Sequence, residues 1–128
     1  MDSEPVSPEI FFDDDMEMYM SENVTLCASS AYDKKYYFNP DFGKLPSNIQ
    51  NELKIMCVIF TEECGGILTL EFDKEGELLI KTEAGEEDYL YDEISAGLLV
   101  NQMRKEKEEL FEALERFYKV FFIYKDQL

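Results

Sequence analysis

Five carboxylates, Glu86, Glu87, Asp88, Asp92 and Glu93, with Tyr89 and Tyr91 set among them, are the residues whose types and spacing best suit chemistry. Carboxylate oxygens are hard ligands, so such a run is what Mg²⁺ or Ca²⁺ would select. It lacks, however, the alternating ligands and central glycine of a calcium-binding loop. Negative charge at Asp92 and Glu93 is also what the first turn of a helix favours, because it opposes the helix dipole. The spacing therefore predicts a helix start rather than a metal site, and no metal ligand is assigned. Aromatic rings beside acids point elsewhere: Tyr89 and Tyr91, with Tyr36, Tyr37 and Phe38, suit a cationic ligand or a Lys/Arg-rich peptide. The structural alternative is that alternate tyrosines keep their rings in the core and their hydroxyls at the rim.

Bond-making chemistry finds little support. Histidine is absent, which removes the commonest general base, the usual partner of a serine or cysteine nucleophile, and the commonest zinc ligand. Gly65-Gly66 has no downstream Gly-Lys-Ser/Thr, so it is not a phosphate loop. Cys64 follows Glu62 and Glu63, whose charges oppose a thiolate. No catalytic residue is assigned and no cofactor is implied. The cysteines, Cys27, Cys57 and Cys64, are odd in number without C-x-x-C spacing, and are expected to be reduced and buried.

A formal net charge of -17 tells against direct contact with nucleic acid or an anionic membrane surface. The same charge suits a basic protein partner. It also suits mimicry, in which carboxylates stand where phosphates would lie and occupy the groove of a nucleic-acid-binding protein. A divalent-cation-binding enzyme or sensor is the weaker alternative. With acid where a signal peptide carries base, and no long apolar span, the chain is expected to be cytoplasmic.

Charge is unevenly placed. Residues 1–22 hold eight acids and no base, around the run IFFDDDMEMYM. This tail is expected to be solvated, or to act as a motif that folds on a partner or docks on its own domain. In the motif Phe11, Phe12, Met16 and Tyr19 are anchors and Asp13, Asp14 and Asp15 steer. Residues 62–93 carry twelve acids against Lys74 and Lys81. The C-terminal stretch is nearly balanced, with pairs such as Glu112 to Arg116 and Glu115 to Lys119 in the favourable order.

Two helices and two hairpins are expected to position these groups. Apolar residues at Ile94, Leu98, Val100, Met103, Leu110, Leu114, Phe117, Phe121 and Tyr124 step by threes and fours, so Leu90 to Tyr124 is expected to be helical with that row buried. A helix of that length would run to roughly 50 Å, longer than a small domain is wide, and the sparse stretch Asn101 to Glu109 is the expected break. Ser47 to Cys64 is predicted as a second helix, apolar on most faces, opened by a capping box of Ser47 and Gln50 and stopped by Gly65-Gly66. Ile67–Phe72 and Glu77–Thr82 alternate around an acidic turn ending in Gly76, which predicts a hairpin with Leu68, Leu70 and Phe72 facing Leu78 and Ile80. VTLCAS and KKYYF allow another, followed by loop chemistry at residues 39–43.

The pieces KYYFN, TEECGG and DYLYDEI, within a region running from Val24 to Phe122, resemble a family of short acidic bacterial proteins classed only as a domain of unknown function. That resemblance implies a bacterial cytosolic protein acting as a stand-alone domain, and it brings no functional residues with it. The tail lies outside it.

The expected fold is α+β: a small antiparallel sheet of one or two β-hairpins, with a central apolar helix and a long C-terminal helix packed on one face. Residues 23–128 form a single domain behind the 1–22 tail. The expected function is a non-enzymatic interaction domain presenting an acidic surface to a basic protein. The apolar end Val120-Phe121-Phe122-Ile123 suggests a homodimer through the C-terminal helix.

Overall fold

The structure, a computed structural model, describes residues 23–124. Both hairpins form, and they join into one sheet. Strands β1 (Val24–Ser30) and β2 (Lys35–Phe38) pair antiparallel, as do β3 (Ile67–Phe72) and β4 (Leu78–Glu83). Antiparallel pairing of β1 with β3 gives the order β2-β1-β3-β4. Asp73 organises the acidic turn. Its backbone carbonyl accepts the Gly76 N–H, its Oδ1 accepts the N–H groups of Glu75 and Glu77, and Gly76 supplies a φ of +89°.

Period-two alternation decides what is buried. Leu68, Leu70 and Phe72 turn inward, opposite Thr82, Ile80 and Leu78, as the alternation predicts. On β1 a bulge between Thr25 and Cys27 leaves Leu26 without a cross-strand partner, so Leu26 and Cys27 are both buried in succession. The carbonyls freed by that bulge are taken up by Asn39, whose N–H donates to Leu26 (2.9 Å) and whose Nδ2 donates to Thr25 (2.7 Å). Asn39 also caps a 3-10 turn, Pro40–Phe42, which drives Phe42 into the core. There Phe42 lies 4.7 Å from Phe122 and 5.6 Å from Phe72, ring centre to ring centre.

Helix α1 (Ser47–Cys64) spans the predicted residues but starts differently. Pro46 is the N-cap and no side chain caps it. The Pro46 carbonyl accepts from Ile49 and Gln50, while Gln50 Nε2 donates to the Leu45 carbonyl (2.8 Å). Ser47 is already the first helical residue, one position past where its hydroxyl could cap. The helix lies on the inward face of the sheet, where Ser29 Oγ and Thr61 Oγ1 share a hydrogen bond of 2.8 Å and Cys27 Sγ lies 3.8 Å from Cys57 Sγ. All three cysteines are free and buried. The helix is central, touching β1, β2, β3 and the next helix, but its Ile55 and Ile59 flank stays exposed.

The C-terminal stretch breaks at Lys107, inside the predicted weak segment, into α2 (Glu93–Glu106) and α3 (Glu108–Tyr118), followed by a π-helical turn, Lys119–Ile123. Lys107 Nζ reaches Glu52 on α1 at 2.8 Å, which pins the break. The buried row is Ala96, Met103, Phe111, Leu114 and Tyr118. Ile94, Leu98, Phe121 and Tyr124, expected in that row, are exposed instead. Ile94 stands two residues before Ala96, about 200° round the helix, so burying one turns the other outward. Glu115, expected to pair with Lys119, accepts the Leu78 N–H at 2.8 Å and so ties α3 to β4. No helix among the described residues is long and apolar enough to cross a membrane.

Candidate functional site

Strand β4 ends at Glu83, and the chain needs nine residues to turn into α2. Two devices hold that acidic loop. Asp92 caps α2, its Oδ1 accepting the Ser95 N–H (3.0 Å) and its Oδ2 the Ser95 hydroxyl (2.7 Å). These donors hold the Asp92 carboxyl below the usual aspartate range. Tyr32, from the β1–β2 turn, supplies the second. Its hydroxyl donates to Asp88 Oδ2 (2.6 Å) and accepts the Gly85 N–H (2.8 Å). The Asp88 carboxylate, by accepting that proton, pushes Tyr32 up. Within the loop Asp88 Oδ1 accepts the Leu90 N–H (3.1 Å).

The outcome is a shallow depression of about 1020 Å³ lined by Glu86, Asp88, Tyr89, Tyr91, Asp92 and Glu93, with Thr82–Gly85, Leu90, Ile94, Ala96 and Gly97. Six of the seven loop residues singled out in the sequence line it, and Glu87 lies exposed beside it. Asp92 and Glu93 sit where the helix dipole favours acid. The aromatic face divides. Tyr91 is half-buried against Gly66, whereas the Tyr89 ring is in solvent, so a core-facing ring holds for Tyr91, as it does for Tyr36 and Phe38 on β2, but not for Tyr89 or Tyr37. Tyr36, Tyr37 and Phe38 do not join them, because β2 and β4 are opposite edges of the sheet. The tail motif, Phe11, Phe12, Asp13, Asp14, Asp15, Met16 and Tyr19, lies outside the described residues.

Apolar exposure marks this region. Tyr89 is 88% exposed, Leu90 93%, Ile94 78% and Leu98 65%. Ile94 and Leu98, expected in the core from their helical spacing, continue a four-residue step from Leu90, which is expected to open the helix and lies instead in the turn before α2. Among the described residues no group of three or more cysteine or carboxylate side chains converges to hold a metal ion. Burial, then the charges of Glu63 and Asp92, push the Cys64 thiol up, which opposes a thiolate nucleophile.

Asp92→Ala is expected to lower the Tm by a few degrees, on the order of 3 °C, by removing the α2 cap. Because folding depresses this carboxyl, its ionic contribution is present above the unfolded aspartate value and is lost as pH falls through the folded one. Thermal melts of wild type and Asp92→Asn should therefore differ at pH 7 and converge in acid. A gap that widens in acid would contradict this assignment.

No curated protein matches the chain, and neither does any solved structure. A model of a family of unknown function, DUF6145, matches residues 23–126, and the chain belongs to that family.

Proposed function

We propose that this protein is a non-enzymatic interaction domain, acting in the cytoplasm of a bacterium, that presents the acidic loop and the start of α2 to a basic protein partner. One observation carries this reading: Tyr89, Leu90, Ile94 and Leu98 stand in solvent beside Glu86, Glu87, Asp88 and Glu93. Exposed apolar side chains among carboxylates fit a segment with apolar anchors between lysines or arginines. Apolar contacts supply the affinity, and opposite charge supplies encounter rate and register. Mimicry of a nucleic acid ranks second, since a phosphate-like array has no use for Leu90 and Ile94.

Capture from lysate by wild type, Leu90→Ser/Ile94→Ser and Glu86→Gln/Glu87→Gln, at about 0.05 M and about 0.5 M salt, tests this reading. A partner held by wild type, released at high salt and weakened at least tenfold by both variants is the expected outcome. Partners retained equally by all three chains would remove the loop from the interface.

A homodimer through the C-terminal helix has its own support, because Val120, Phe121 and Tyr124 remain exposed on the last turns. A monomeric mass in sedimentation at high concentration would retire it.

A further inference from the structure

We propose that a second site, walled by Lys34 and Lys54 with Lys35 at its rim, binds a small phosphate-bearing molecule. The cavity, about 730 Å³, lies between the β1–β2 turn and the last turns of α1. Its volume falls within the range of about 300–1,000 Å³ usual for small-molecule sites and exceeds what a bare phosphate needs. Tyr36 lends an aromatic wall for an organic portion.

Charge is the first argument. The chain has 12 basic residues against 29 acids, yet Lys34 and Lys54 both line this cavity, with Lys35 at its rim on the face of β2 opposite Tyr36, and Glu62 is the one lining acid. A phosphate monoester carries nearly -2 at neutral pH, so it is opposite in sign to the site. Among the described residues none of the three lysines is in an ion pair, the salt bridges there being Lys81 with Glu71 and Lys107 with Glu52. Asp33, the other acid of the turn, is engaged with Ser30 and does not line the cavity. More distant acids are screened beyond about 8 Å at physiological ionic strength.

Backbone strain is the second. Lys34 has a φ of +53° and is the only non-glycine residue with positive φ among those described. Glycine or asparagine would fill that turn position at less cost. A lysine kept in a strained conformation is a device for placing its charge, and strain of this kind gathers at ligand clamps. The lining hydroxyls argue for an anion over a neutral ligand. Ser29 and Thr61 are hydrogen-bonded to each other, Thr61 also donates to the Val58 carbonyl and Ser30 to Asp33, and the Tyr36 hydroxyl, though without a partner among the described residues, is buried, so the solvent-accessible free donors are the ammonium groups.

NMR titration of the full chain with pyrophosphate, with acetate as the singly charged control, tests the site. Saturable shifts are expected in the amides of residues 30–36, 54 and 61–65, and not with acetate. Lys54→Gln should weaken pyrophosphate about tenfold, the loss expected from one charge contact near the surface. Lys34→Gly should weaken it similarly while raising the Tm, since it removes both the charge and the strain. Lys74→Gln, on the far hairpin turn, should change nothing. No saturation by about 10 mM, or equal losses in Lys74→Gln, overturns the proposal. If pyrophosphate binds only after Asp13, Asp14 and Asp15 become asparagine, the lysines serve the chain's own carboxylates and the free-ligand site falls.

Discussion

Phe42→Ala is expected to lower the free energy of unfolding by about 3–5 kcal/mol, a large share of what holds a domain of this size together. Phe42 is fully buried and joins three parts of the chain distant in sequence. Its ring stacks on Phe72 of β3, on Tyr118 at the end of α3 (6.3 Å), and on Phe122 in the π-helical turn. Phe72 and Tyr118 are themselves stacked at 4.4 Å with planes 7° apart, so truncation opens a cavity inside an aromatic cluster that cannot easily collapse. Phe121→Ala is the matched control. That ring is exposed, keeping a contact with Phe117 at 4.6 Å and Lys44 Nζ 5.8 Å above it, and its loss should cost only about 1 kcal/mol. Urea melts of the two variants provide the comparison. A Phe42→Ala value no larger than the control would remove Phe42 from the centre of the core.

Gly66→Ala is expected to cost roughly 2–4 kcal/mol and to disturb the acidic loop without touching any of its carboxylates. Gly66 has a φ of +72°, and a Cβ there would stand 2.6 Å from the Glu83 carbonyl oxygen and 2.7 Å from Tyr91 Cε1. The Tyr91 ring can swing away. The carbonyl is held in the ladder, where Glu83 is paired with Ile67. Relief must therefore come from moving either the end of β4, where the loop begins, or Tyr91, where it ends. Gly65→Ala separates the causes: its φ is +80°, but nothing lies within 4 Å of its Cβ position, so it carries backbone strain alone, about 1–3 kcal/mol. Shifted amide resonances over residues 83–92 in Gly66→Ala and not in Gly65→Ala would locate the clash. Equal melts and equal spectra for both would show that Gly66 is kept only for its φ.

The two glycines illustrate how far local reading reaches. Their adjacency after an apolar run predicts a helix stop, and α1 does end there. That Gly66 also makes room for Tyr91 is invisible locally, because the two are brought together only when β4 and the loop fold back along β3. The β1–β2 turn behaves the same way. Its residues predict a turn, but nothing in them places the Tyr32 hydroxyl on Asp88, 56 residues later.

Periodicity and turn chemistry, both properties of neighbours a few residues apart, determined by themselves the α+β class, the inward face of β3 and β4, the span of α1 and the segment where the C-terminal helix breaks. The tertiary structure decided which of two apolar rows on α2 faces inward. Ala96 and Met103 turn toward the core beside α1, and Ile94 and Leu98 are left in water, with Leu90 just ahead of the helix. Both rows satisfy helical spacing, so local pattern cannot rank them. The choice is made by what α2 packs against, namely α1, whose Glu52 also holds Lys107 in a contact across 55 residues.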